Sequence, residues 1–428
     1  MAPSLVRISL FFLATLAVGG CSRAGGCPDG KTCLRYMAWG NPEQLGVEQQ
    51  MVDAFNSKNP DLHVKLFKVP GSSYGVKMTT MLVSGTAPDV LRVDHYNFPS
   101  FQKKGYFRDL TELAANDTGF KREDFYPATL QEGTVDGRLY GLNVLFGGIL
   151  IYYNKTLFQK AGLDDPYELS KRGEWTWDRF RESAVKLTQM EDGKPKVYGT
   201  NVPGFPTSVP AVYGFGGRLL NDDLTKAKVS SPETVKAYQF LSDLIWKDHA
   251  APTPAEGANS AFSFESGKLG MTFDWMGMTP RYREAAKGFE WDVCPVPGDA
   301  TIVKGNQLVM AASSRHPEAA WRFMRFLTGV ETENNLYAVI RRSFPTRKAV
   351  AESDDFLKTT QSPFNTRAFI TSIEKGKPLP INDRWSEWTQ ALTSELDNLM
   401  SGRERDAKAV LTRANAKIDT ILSEAPGY

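Results

Sequence analysis

Thr32-Cys33-Leu34-Arg35-Tyr36-Met37-Ala38-Trp39 has the β-branched and aromatic character of a strand, and an ordered series of elements follows it. Glu48–Lys58 places Met51, Val52 and Phe55 on one helical face and stops at Asn59-Pro60. Leu62–Val69 alternates apolar and polar residues as a second strand. Tyr74–Ser84 sets Val76, Met78, Met81 and Leu82 at helical spacing, and Asp89–Val93 is a short third strand, apolar after Asp89 except for Arg92. Strand–helix–strand–helix–strand with short links is the pattern of a mostly parallel sheet covered on both faces. Ligands of such sheets bind beyond the carboxyl ends of the strands, which directs attention to residues 39–43, 70–75 and 94–98.

Downstream, a second α/β unit begins after Tyr140-Gly141-Leu142. Phe146–Tyr153 reads as a strand, and Asn154–Ala161 as a short helix ended by Gly162. Thr176 caps a helix over Trp177–Gln189, Pro232–Lys247 is a long amphipathic helix, and Gly270–Asp274 is a strand. The Pro/Gly stretch Cys294–Gly298 marks a crossing point, and Gly305–Ala312 reads as a further strand. The tail is helical over Pro317–Thr328, Thr332–Val339, Asp383–Met400 and Ala407–Ser423. No internal repeat or low-complexity segment interrupts this order.

Composition agrees with a large globular α/β protein. The 428 residues suggest more than one folding unit, and 41% hydrophobic content excludes disorder. Lys+Arg 51 against Asp+Glu 49 leaves +2, so no net field draws the chain to nucleic acid or anionic lipid. The first twenty residues read as an address: Arg7 precedes the apolar run Ile8–Val18, too short for the roughly 20 residues of a membrane span. The run ends in Val18-Gly19-Gly20-Cys21, which resembles a bacterial lipobox, with Cys21 as the lipidated mature N-terminus. An ordinary signal peptide is the alternative. In an oxidising compartment Cys27 and Cys33 can close a short disulfide loop, whereas Cys294 reads as a small buried apolar residue. The four His (63, 95, 249 and 316) are scattered without ligand spacing, so neither a metal nor a cofactor is expected.

Gly85-Thr86-Ala87-Pro88-Asp89-Val90 resembles the G-x-x-P-D-[VIL] element of extracellular solute-binding proteins of the carbohydrate class, family 1, relatives of maltose-binding protein. Further pieces follow in that family's order: Tyr140-Gly141-Leu142, Tyr153-Asn154-Lys155, Trp175-Thr176-Trp177-Asp178, Phe215-Gly216-Gly217, Phe264-Glu265-Ser266-Gly267-Lys268 and Pro317-Glu318-Ala319-Ala320-Trp321. Two places depart from it, Asn143 where a Pro is usual and Asp274-Trp275-Met276-Gly277 after Met271. The resemblance implies a two-lobed periplasmic-binding-protein fold with three hinge crossovers. Residues 1–20 would be the signal and 21–31 a tether. The lobes would be 32–142 with 296–328, and 143–295 with 329–428. It also implies a monomeric, non-enzymatic, lipid-anchored component of an ABC importer at the cell envelope, handing a sugar to inner-membrane permease subunits.

A sugar needs aromatic faces for its C–H side and Asp, Asn, Glu or Arg for its hydroxyls. Strand exits and crossovers supply the candidates Trp39, Asn41, Glu43, Asp94, His95, Tyr96, Asn143, Phe146, Tyr213, Asp274, Trp275 and Asn306, with Arg342 and Trp385 from the tail. Trp177 and Trp321 have helical spacing with Phe180 and Met324 and read as core. Glycerol-phosphate, polyamine and iron are the alternative ligands. A secreted hydrolase is the remote one, through Ser73 in the G-x-S-x-G match Gly71-Ser72-Ser73-Tyr74-Gly75.

Overall fold

Strand β1 (Thr32–Trp39) pairs in parallel with β2 (Leu62–Val69) on one side and β3 (Val90–Asp94) on the other, in a computed structural model that describes residues 27–258, 260–335 and 341–424. The connecting helices are Pro42–Lys58 and Gly71–Val83. Period-two alternation along β1 sends its side chains into two cores. Leu34, Tyr36 and Ala38 face one with Phe55 and Phe323, while Met37 faces the other with Tyr74, Met78 and Val93. Both faces of this half of the sheet are therefore covered, as the strand–helix alternation requires.

After a small hairpin of β4 (Thr134–Val135) and β5 (Arg138–Leu139), β6 (Gly141–Asn154) is long enough to serve two halves of one sheet. Its first half, Gly141 to Gly148, lies antiparallel to β11 (Val303–Met310), which in turn pairs with β3. Its second half lies between β9 (Leu269–Trp275) and β10 (Trp291–Cys294). Beyond β9 come β8 (Lys194–Thr200), parallel to it, and the short β7 (Gln189–Glu191). The resulting order is β2-β1-β3-β11-β6-β9-β8-β7, with β10 on the other side of β6. The second half has cores of its own. One contains Phe180, Tyr238, Trp388 and Leu411 from four helices, the other Tyr152, Tyr282, Trp291 and Phe369.

The expected elements recur with shifted bounds. The first helix starts at Pro42 rather than Glu48, because Asn41 caps it. The third strand ends on Asp94 rather than Val93, and β11 starts earlier than Gly305. A strand at 291–294, ahead of the Pro/Gly stretch, carries too little alternation to be read locally; it is held by pairing with β6. A short helix Val330–Glu333 precedes residues 336–340, so most of the expected helix Thr332–Val339 lies outside the described residues. Cys27 and Cys33 are disulfide-bonded with Cα atoms 5.7 Å apart, and Cys294 is a buried free thiol. Cys21 and the signal segment lie outside the described residues. Among the described residues no helix is long and apolar enough to cross a membrane.

Candidate functional site

The carboxyl ends of β1, β3 and β9 converge with β6 and β11 on a cavity of about 280 Å³. Trp39 ends β1, Asp94 ends β3 opposite Asn306, and Trp275 ends β9 opposite Ile149. All three line the cavity with Asn306, Phe146 and Arg342. Trp39 is held from below: Arg92 lies with its guanidinium carbon 4.1 Å from the indole centroid, donates to the Trp39 carbonyl and is ion-paired with buried Glu48. Glu48 also accepts from Tyr36 Oη at 3.0 Å. The Asp94 carboxylate accepts the Tyr96 N–H at 3.0 Å and faces His95 Nδ1 at 3.3 Å. Burial opposes its ionisation, but the His95 hydrogen bond and charge, that N–H and Lys304 outweigh it, so its pKa is lowered. Burial pulls the pKa of His95 down against the pull of Asp94.

An aromatic run leads out of this cavity. Lys304 Nζ stands 4.7 Å from the Trp275 ring centroid and 5.0 Å from that of Tyr96. Tyr96 stacks on Trp385 at 5.2 Å and 17°, and Trp385 meets Phe205 at 5.8 Å. Tyr96 follows β3 in the first half of the sheet, whereas Trp385 opens a helix, Trp385–Met400, packed on the second. Lys103 and Asp383 make a nearby ion pair at 2.7 Å across the same junction. The arrangement offers flat apolar faces, a carboxylate and cations to one small polar ligand, the requirements of a sugar.

Residues 40–333 match the family model described as bacterial extracellular solute-binding protein. The chain belongs to that family. This solute-binding protein is 29% identical to the arabinooligosaccharide-binding protein of Bacillus subtilis over 352 residues, 77% of each chain. Its fold is similar to that of an ABC substrate-binding protein of Listeria monocytogenes solved in complex with cycloalternan, with TM-score 0.78 at 25% identity over 91% of this chain and 98% of that one. It is similar also to the sugar-binding protein MalE of Xanthomonas citri, with TM-score 0.78 at 20% identity over 92% and 98%. Members of this family bind a solute without transforming it, and Ser73 fits that. It lies exposed in the first turn of the helix Gly71–Val83, its hydroxyl donating to Pro70 O at 3.3 Å, and not at a strained strand-to-helix elbow.

The other candidates in the solute-binding protein lie apart from the cavity. Asn41 is the N-cap of the first helix and Glu43 is exposed in its first turn. Asn143 is buried, donating to Thr129 O at 2.6 Å and accepting from Gln307 Nε2 at 2.8 Å. His95 is buried against Tyr96, and Tyr213 lines a separate cavity with Gln131 and Lys377. Asp274 accepts from Tyr282 Oη at 2.6 Å and faces a larger hollow of about 660 Å³ in the second half of the sheet, so only its neighbour Trp275 reaches the cleft. Strand-end reasoning missed Gln44, Arg92 and Lys304, which line the cavity. The signal for Arg92 was its standing as the one cation in the third strand. Lys304 precedes Gly305-Asn306 and carried none.

Proposed function

We propose that this protein captures a sugar or oligosaccharide between two lobes and delivers it to the permease of an ABC importer. The lobes are residues 32–142 with 296–328, and 143–295 with 329–428; residues 21–31 tether them to a lipid on Cys21 at the cell envelope, on a periplasmic face or the outer surface of the cytoplasmic membrane. The observation that carries the reading is the meeting of Asp94, from β3, and Trp275, from β9, on one cavity. Closing on a ligand is favoured only if both halves touch it, since differential affinity alone shifts the open–closed equilibrium. The relatives named for arabino-oligosaccharide and solved with cycloalternan support a saccharide over a polyamine or iron.

A carboxylate accepting sugar hydroxyls makes charge-assisted bonds of about 1.5–3 kcal/mol each. A ring stacked on indole buries area at about 25 cal/mol per Å². Calorimetric titration against mono- and oligosaccharides should therefore find a ligand that Asp94→Ala and Trp275→Ala each bind at least tenfold more weakly, about 1.4 kcal/mol. The sugar should be recovered unchanged. Full-strength binding by both variants would remove this cavity from the reading.

A further inference from the structure

Along the aromatic run that leads out of the cavity, three contacts between described residues join the two halves of the sheet, side chain to side chain. Lys304 of β11, on the cavity wall, holds its ammonium 4.7 Å from the ring centroid of Trp275 and 5.0 Å from that of Tyr96. Tyr96 in turn stacks on Trp385 at 5.2 Å and 17°. Although it leaves β3, Tyr96 packs with Trp385 and Trp275 against the core of the second half. Farther out, Lys103 meets Asp383 at 2.7 Å, two residues before Trp385.

Both sides of this seam are held in place by their own half. The Tyr96 N–H donates to Asp94, and its ring lies 3.8 Å from that of buried His95. Trp385 meets the fully buried Trp388 edge to face, at 4.9 Å and 84°. Asn382 Oδ1 accepts the Arg384 N–H and the Trp388 Nε1–H, both at 3.1 Å, which fixes the turn that carries Asp383. Surfaces preset in this way lose little conformational freedom on joining, so more of the contact energy is kept.

In the two-lobe reading, Tyr96, Lys103 and Lys304 belong to the first lobe, and Trp275, Asp383 and Trp385 to the second. Rotation at the crossovers would have to part every one of these pairs and return the faces of an aromatic stack to water. We infer that the six residues form a latch, which holds the lobes shut by contacts of the protein's own side chains and must part for a saccharide to enter. The inference rests on the two-lobe part of the capture reading and adds what sets its resting state. A resting population that is already closed spares the ligand the cost of closing the lobes, while its entry waits on opening.

Small-angle X-ray scattering of the sugar-free protein tests this. Carried saccharide is released by unfolding and refolding, with mass spectrometry confirming its loss. The parent should scatter as a closed form. Tyr96→Ala and Trp385→Ala should each lower the closed-to-open ratio tenfold or more, and the two together no further than either alone, because they remove one contact. The two rings sit on different lobes, so damage to one lobe does not imitate the other, and circular dichroism checks that each variant folds. Lys103→Glu should lower the ratio by at most about fivefold, and adding Asp383→Lys should restore it. A sugar-free parent that scatters as an open form overturns the latch and leaves saccharide capture intact. Ring variants as closed as the parent overturn it too, as does a charge swap that restores nothing. Failure of every saccharide to bind, with the scattering as expected, overturns the saccharide reading and leaves the latch standing.

Discussion

Two acids near the cleft, Glu48 buried and Glu132 half-buried, have opposite consequences. Glu48 pairs with Arg92, both almost fully buried. Glu48→Ala would strand the guanidinium and leave Tyr36 Oη without its acceptor, at a cost of about 3–5 kcal/mol. Denaturant unfolding should show that loss, and a change below about 1 kcal/mol would contradict the account. Glu132 instead accepts from Asn143 Nδ2 and Gln307 Nε2, both at 3.4 Å, and burial overrides these bonds to raise its pKa from 4.5 to about 8. A carboxyl with a raised folded value is favoured protonated in the fold. Its contribution is fully present below the unfolded value and is lost as pH climbs through the folded one. Melting profiles of the parent minus Glu132→Gln should therefore decline between pH 4.5 and 8; a flat difference would show that Glu132 titrates normally.

At the scale of elements, the turn after β1 does two jobs that meet at Gln44, which lines the cavity and completes the cap of the following helix. Trp39 faces the cavity, whereas Asn41 accepts the Gln44 N–H at 2.8 Å and the Gln44 side chain accepts the Asn41 N–H at 3.1 Å, a complete capping box. Asn41→Ala should lower stability by about 0.5–2 kcal/mol while saccharide affinity stays at the parent value. Thermal unfolding and titration of the same sample separate the two effects, and a tenfold affinity loss would return Asn41 to the binding surface. The pairing of β11 with β6 is as particular. A Cβ on Gly305 would collide with the Asn143 side-chain oxygen and crowd the Phe146 ring, so the backbone can pass there only because that residue is glycine.

At the scale of the whole molecule, the two halves of the sheet share β6 and meet again at Tyr96–Trp385 and Lys103–Asp383. The ion pair is exposed and worth at most about 1 kcal/mol, so the aromatic stack is the larger of the two contacts. The proposed tether belongs to the same scale, because Cys21 sits upstream of everything the sheet organises. Cys21→Ala should move the protein from the membrane fraction to the soluble one with its saccharide affinity unaltered. A variant that still sediments with membranes would exclude acylation at this residue.

Local pattern determined much of this protein. β-Branched and aromatic character placed β1, and period-two alternation β2, to the residue, and Asn154, Thr176 and Ser231 start their helices because a cap acts within one turn. The strand exits and crossovers Trp39, Asp94, Phe146, Trp275 and Asn306 share one cavity, since parallel strands expose their carboxyl ends on the same side, and Arg342 joins them from the tail. Tertiary structure alone decided the rest. Asn143 and Asp274 look like ligands in sequence, but Gln307, 164 positions away in the chain, and Tyr282, on the helix that follows β9, take up their hydrogen bonds. Lys304 looks like an ordinary strand lysine, and becomes a cleft cation only because Tyr96 and Trp275 arrive from opposite halves of the sheet. Capping and alternation depend on near neighbours in sequence, whereas hydrogen-bond partners and desolvation depend on which distant segments pack together.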